Sequence, residues 1–255
     1  MMYYLYRLSE TGHEWLRGFN VFQYISFRAV AAAFTAFLLC ILLGHWVIRR
    51  LISLKIGQPV RTAEEVNKLF ELHGKKAGTP TMGGVLIHGA VIGSTLLWAR
   101  PDNAAVWLLV FTIVACGALG FWDDWLKVAK KNSGGISERT KLIGQFSVAA
   151  VVAGFFLLNP ATEVQARALY VPFYKAPVIE NLGWWTIVFF ALVIVGTSNA
   201  VNFTDGLDGL AAGCTATSAL AYGVIAYAAG NVKVAQYLQI PYYPFAGELS
   251  IVCLA

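Results

Sequence analysis

Charge is what this chain is short of. Of its 255 residues only 13% are charged, against 58% hydrophobic, and the mean hydropathy is +0.62. Soluble domains carry about a quarter charged residues, so this chain lacks the polar surface to coat a water-soluble globule. Paired cysteines are lacking too. Cys40, Cys116, Cys214 and Cys253 each stand singly in apolar sequence, with no C-x-x-C pair, and His13, His45, His73 and His88 are scattered without ligand spacing. A disulfide framework or a zinc site is therefore not expected, and the cysteines read as small apolar packing residues. The first 24 residues hold no apolar core ahead of a small-residue cleavage site, and they carry Arg7, Glu10, Glu14 and Arg17. They read as an interfacial amphipathic lead-in, not as a signal peptide. No internal repeat, low-complexity tract, P-loop or EF-hand loop occurs. No basic helix or aromatic-interleaved basic strip offers itself to nucleic acid.

What is present is a series of long apolar runs. Six stretches, at residues 24–48, 81–99, 104–122, 142–158, 182–201 and 209–229, look complete, and a seventh starts near Ala246. Lengths of about 17–25 residues suit a hydrocarbon core of about 30 Å at 1.5 Å per residue. Backbone polar groups there must bond within their own segment, so helices are expected. The sequence thus predicts an all-α, polytopic transmembrane helical bundle. It has six complete spans and part of a seventh, and forms a single integral-membrane domain over residues 1–255.

The net charge of +5 is distributed by loop. Arg49, Arg50, Lys55, Arg61, Lys68, Lys75 and Lys76 lie between the first two spans; Lys127, Lys130, Lys131, Arg139 and Lys141 lie between the third and fourth. The loops on the other side hold Arg100, Arg167, Lys175 and Lys233. The positive-inside rule then puts the N-terminus outside and both basic loops in the cytoplasm. By alternation the 202–208 connection is cytoplasmic as well.

Three polar groups collect on that face. Asp123 and Asp124 follow nineteen uncharged residues, a costly placement unless a cation or a wet cavity receives them. Neighbours on a helix point about 100° apart, so the two carboxylates are expected to do different work. A solvated pair balanced by Lys127 and Lys130 is the plainer alternative. Asn202, Asp205 and Asp208 form the second group, within two Asp-Gly steps that mark tight turns or a broken helix. If helical, they share one face and suit a hard cation or a polar head group; simple capping is the alternative. The third group runs from Lys75 and Lys76 through Gly78-Thr79-Pro80-Thr81 to Gly83-Gly84, at the start of the second span. Helix N-termini favour anions, although taken alone topogenic lysines at a helix start are the better explanation of this segment. Carboxylates, lysines and an anion-friendly helix start on one membrane face are the requirements of metal-assisted phosphoryl transfer, with a lipid as one substrate.

Through these residues the chain resembles the MraY family, the phospho-N-acetylmuramoyl-pentapeptide transferases of bacterial peptidoglycan synthesis. The resemblance is carried by Gly18-Phe19-Asn20-Val21-Phe22, Gly78 to Gly84, Gly120-Phe121-Trp122-Asp123-Asp124, Asn199 to Gly209 and Tyr237-Leu238-Gln239-Ile240-Pro241-Tyr242. The Asp-Asp and Asn-x-x-Asp-Gly motifs belong to the wider polyprenyl-phosphate sugar-1-phosphate transferases. The 171–175 and 240–249 segments point to the muramoyl branch.

The resemblance implies an enzyme of the bacterial cytoplasmic membrane with its active site on the cytoplasmic face. In it undecaprenyl phosphate attacks the β-phosphate of UDP-N-acetylmuramoyl-pentapeptide, giving lipid I and UMP with Mg²⁺ required. It assigns Asp123 and Asp124 to catalysis, with Asp124 the candidate metal ligand. Lys127 and Lys141 would meet phosphate, and Asn202, Asp205 and Asp208 would lie on the nucleotide side. Lys75 or Lys76, and Thr81, belong near the same pocket, and a second copy of the chain is the implied protein partner.

The family has ten spans, a further essential aspartate and a histidine-rich loop beyond the region matched, so this chain is expected to be its N-terminal portion and inactive alone. A related N-acetylhexosamine-1-phosphate transferase, an ion-coupled transporter and a non-catalytic scaffold are the competing classes. A transporter calls for acidic groups near mid-span, whereas these stand at the span mouths.

Overall fold

The computed structural model describes residues 1–11, 13–53, 82–130, 135–171, 174–206 and 209–255. Among them the regular structure is helical, apart from one isolated antiparallel bridge between Leu169 and Ile179. Two 3₁₀ segments, Met2–Thr11 and Glu14–Gln23, form the lead-in and pack on each other. Phe22 of the second stacks on Trp98, with ring centroids 5.9 Å apart.

Among the described residues nine α-helices follow: α1 Ile25–Ser53, α2 Gly84–Trp98, α3 Ala104–Lys130, α4 Glu138–Leu158, α5 Glu163–Arg167, α6 Trp185–Thr204, α7 Leu210–Ala229, α8 Val232–Leu238 and α9 Ala246–Leu254. Five of them, α1, α3, α4, α6 and α7, are long and apolar enough to cross a membrane, which makes this a multi-pass membrane protein. The second expected span is shorter than its apolar run. As α2 it has 15 residues, about 22 Å of helix. Helix α3 does not stop at residue 122 but continues through both aspartates to Lys130. Hydropathy marks where apolar side chains end; the helix ends only where backbone hydrogen bonding does.

Small residues and interhelical hydrogen bonds hold the helices together, as expected where apolar side chains gain little by leaving lipid. Ser94 Oγ donates to the Ala32 carbonyl (2.7 Å) and Trp98 Nε1 to Thr35 Oγ1 (2.9 Å), joining α2 to α1. Gly117 of α3 accepts the ring of His88 from α2, and Gly144 of α4 accepts Leu119 from α3. At the opposite end from the two aspartates, α9 docks against α1, α2, α3 and α7. Its Glu248, buried, meets the buried Arg28 of α1 through paired contacts of 2.5 and 2.7 Å, and also accepts the Arg100 N–H at 3.0 Å. Nothing in the apolar periodicity of α1 announced Arg28 as an interior residue.

Candidate functional site

Alternation of the spans brings the C-terminal ends of α1, α3 and α6 and the N-terminal ends of α2, α4 and α7 to one side of the bundle. The aspartate pair rides there on the last two turns of α3. Lys127, one turn further along α3, reaches back to both carboxylates: its Nζ is 2.6 Å from Asp123 Oδ2 and 3.3 Å from Asp124 Oδ1. Spacings of i, i+4 and i, i+3 let Lys127 reach each of the two carboxylates.

The two aspartates differ, as their 100° offset requires. Asp123 has both oxygens engaged, because its Oδ1 accepts the Ile136 backbone N–H at 2.7 Å. Asp124 has one oxygen on Lys127, and its other oxygen has no partner among the described residues. Its side chain is also the more open of the two, at 41% exposed against 25% for Asp123. One carboxylate is therefore built into the structure and the other is presented outward.

Ile136 can reach Asp123 because Gly135 passes directly against that carboxylate; a Cβ at residue 135 would collide with Asp123 Oδ1. Ser137 then starts α4 as its N-cap, accepting the Thr140 N–H at 3.2 Å. Lys141 follows in the first turns of α4, within electrostatic reach of Asp123. Gly135 and Ile136 were missed in the sequence. The available signal was a Gly-Gly step directly before a helix cap.

Among the described residues, the helix entering the 202–208 connection ends before residue 205. Helix α6 ends at Thr204, Asp205 is its C-cap (φ −78°, ψ 52°), and α7 begins only at Leu210. Gly209 turns the chain at φ +81°, a left-handed conformation that glycine adopts without strain. Of the two expectations for this segment, a break or one shared helical face, the position of Asp205 at the end of α6 matches the break, which Asp-Gly steps favour. Asn202 lies exposed in the last turn of α6 and Asp205 exposed at its end. A carboxylate at the negative end of a helix dipole is unfavourable by itself and is eased by a donor-rich ligand. Among the described residues no hydrogen bond or ion pair joins Asn202 or Asp205 to the Asp123–Lys127 cluster; α4 packs against both α3 and α6. Lys75, Lys76, Thr81 and Asp208 lie outside the described residues.

Comparison with known proteins matches the model for glycosyl transferase family 4 over residues 106–247, which covers the aspartate pair and the 202–208 connection. Residues 76–87 match the phospho-N-acetylmuramoyl-pentapeptide-transferase signature 1. The phospho-N-acetylmuramoyl-pentapeptide-transferase of Methylacidiphilum infernorum is 48% identical over the whole chain, which spans 69% of that relative. The protein of that name from Desulfotalea psychrophila is 48% identical over 97% of the chain and 67% of its own length. The one from Neisseria gonorrhoeae is 46% identical over 95% of the chain and 66% of its own length. The chain spans about two thirds of these relatives and belongs, with them, to the phospho-N-acetylmuramoyl-pentapeptide-transferase family.

Proposed function

We propose that this chain carries the lipid- and nucleotide-binding face of a transferase that moves phospho-N-acetylmuramoyl-pentapeptide from its UDP precursor to undecaprenyl phosphate. An oxygen of the lipid phosphate attacks the β-phosphorus of the nucleotide sugar, the bond to the bridging oxygen breaks, and UMP leaves with that oxygen. Lipid I remains in the membrane. The observation that carries the reading is Lys127 shared between Asp123 and Asp124 at a span mouth, where a lipid phosphate and a soluble nucleotide can both arrive.

Asp123, fixed by Lys127 and the Ile136 N–H, holds the ammonium in place. That ammonium meets phosphate charge, aided by Lys141. Asp124 has an oxygen to spare. It can take a proton from the lipid phosphate or offer one ligand to Mg²⁺, which takes few carboxylates and completes its shell with phosphates and water. Among the described residues no three His, Cys, Asp or Glu side chains gather to hold a metal, so Asp124 fits as one donor of a shared site. Such an ion would supply charge neutralisation at the diphosphate. Asn202 and Asp205 lie on the nucleotide side, with Asp208, Thr81 and one of Lys75 or Lys76 completing the pocket. The N-terminus faces the periplasm, the site faces the cytoplasm, and the working unit is a homodimer.

The test is UMP release in detergent micelles from undecaprenyl phosphate, UDP-N-acetylmuramoyl-pentapeptide and Mg²⁺. Two forms are assayed: the 255-residue chain, and the same residues continued by the last third of the Methylacidiphilum relative. Release that Asp124→Asn abolishes supports the reading. Release indifferent to that change, or none from either form, overturns it.

A further inference from the structure

Helix α6 carries Asn202 and Asp205, yet it is thinly held: Thr186 is its one buried residue among those described. An apolar helix in lipid gains little by preferring protein over acyl chains, so apolar packing alone sets its rotation weakly. Its ring contact with α4, Phe190 against Phe156 at 5.6 Å, lies towards the far end from the site.

Between that contact and the site, Gln145 of α4 is buried to 2% exposure inside an otherwise apolar span. Its Nε2 donates to Ser198 Oγ at 2.9 Å, and its Oε1 accepts from Asn199 Nδ2 at 2.9 Å. Asn199 Nδ2 also donates to the Val195 carbonyl at 2.8 Å. A carbonyl can only accept, so that contact fixes the orientation of the Asn199 amide, and the Gln145 amide follows from it. Ser198 and Asn199 are neighbours about 100° apart around α6, and a helix gripped at two such points cannot roll. Asn199 lies three residues before Asn202 and Gln145 four residues after Lys141, so the grip sits one turn beneath the site on both helices.

We propose that Gln145 is a positioning residue that sets the azimuth of α6, and so the placement of Asn202 and Asp205 against Lys141. The proposal rests on the nucleotide-side reading of Asn202 and Asp205. With 2% exposure Gln145 cannot itself reach a substrate.

Two readouts test it. Nitroxides are placed at the exposed Thr140 and Phe203 (Thr140→Cys, Phe203→Cys), in a background with the four native cysteines replaced by alanine, and their separation is measured in bilayers. Gln145→Met keeps length and apolar bulk while removing both hydrogen bonds. The expected result is a distance distribution shifted or broadened by about 3 Å or more, a displacement of the order of the axial rise of two helical residues. An unchanged distribution overturns the proposal. This readout needs no turnover, so it stands apart from the fate of the transferase reading.

In whichever form releases UMP, Gln145→Met should raise KM for the nucleotide sugar about tenfold, with kcat changed less than about threefold; tenfold corresponds to 1.4 kcal/mol. A moved helix with an unchanged KM would overturn the link to the nucleotide side. Ser198→Ala, which keeps the Gln145–Asn199 bond, should give an intermediate shift and guards against a Gln145→Met protein that fails to fold.

Discussion

At the residue scale, the decisive contrast is between two adjacent carboxylates. Asp123 is satisfied by Lys127 and the Ile136 N–H, whereas Asp124 is the more exposed side chain and has one oxygen without a partner among the described residues. The fit depends on the missing side chain of Gly135. Gly135→Ala should push the Asp123 carboxylate off its partners and cut UMP release about 100-fold, the scale on which a misplaced electrostatic group is felt. Thermal stability should fall little, because the contact lies at the surface; an unchanged rate would contradict the assigned geometry. On the other side of the membrane, the Arg100 guanidinium bonded to Asp102 holds that carboxyl below its ordinary value of 3.8. A depressed acid stabilises the fold above its unfolded pKa and loses that contribution as pH falls through the folded value. Asp102→Asn should therefore lower the Tm at pH 6 and match the unsubstituted protein once the pH is well below 3.8. With the side chain half exposed the effect stays within about 1 kcal/mol.

At the scale of elements, close helix approach is set by glycines that hydropathy cannot weigh. A Cβ at Gly117 would stand 2.6 Å from His88 Cδ2, so Gly117→Ala should destabilise the α2–α3 pair by about 1–3 kcal/mol. Combining it with His88→Ala should restore most of the loss, as read by thermal unfolding in detergent. Among the described residues the apolar runs foretold the five helices long enough to span, because membrane length and backbone satisfaction leave one solution, while the run expected as the second complete span is only the 15-residue α2. They mistook the ends of α2 and α3, since the polar last turns of α3 are helical for local reasons. They also left the 202–208 segment undecided between helix and break, and only the positive φ of Gly209 resolved it.

At the scale of the molecule, the end away from the aspartates is closed by Arg28 and Glu248, 220 residues apart in sequence. Glu248→Gln should leave an uncompensated guanidinium in the interior and cost about 3–5 kcal/mol. The double change Arg28→Met with Glu248→Leu should recover part of that stability, since it removes both charges but leaves the Arg100 N–H and the Trp98 carbonyl without these partners. Equal Tm values for Glu248→Gln and the unsubstituted protein would show that α9 docks without the pair. This end and the aspartate cluster are separated by the length of the spans, so the double variant should leave UMP release unaltered.

The sequence by itself determined the class of protein, its membrane segments, the clustering of carboxylates and lysines at span mouths, and the family. Those properties are additive along the chain: hydropathy, charge asymmetry and motif spacing are read one position after another. Only the tertiary structure decided that Asp123 is held and Asp124 offered, that Gly135 and Ile136 complete the cluster, and that Gln145 grips α6. Arg28 likewise found its partner only there. Each of these depends on the rotation of one helix against another, and an interhelical hydrogen bond forms or fails within a few tenths of an ångström. No local pattern encodes that angle.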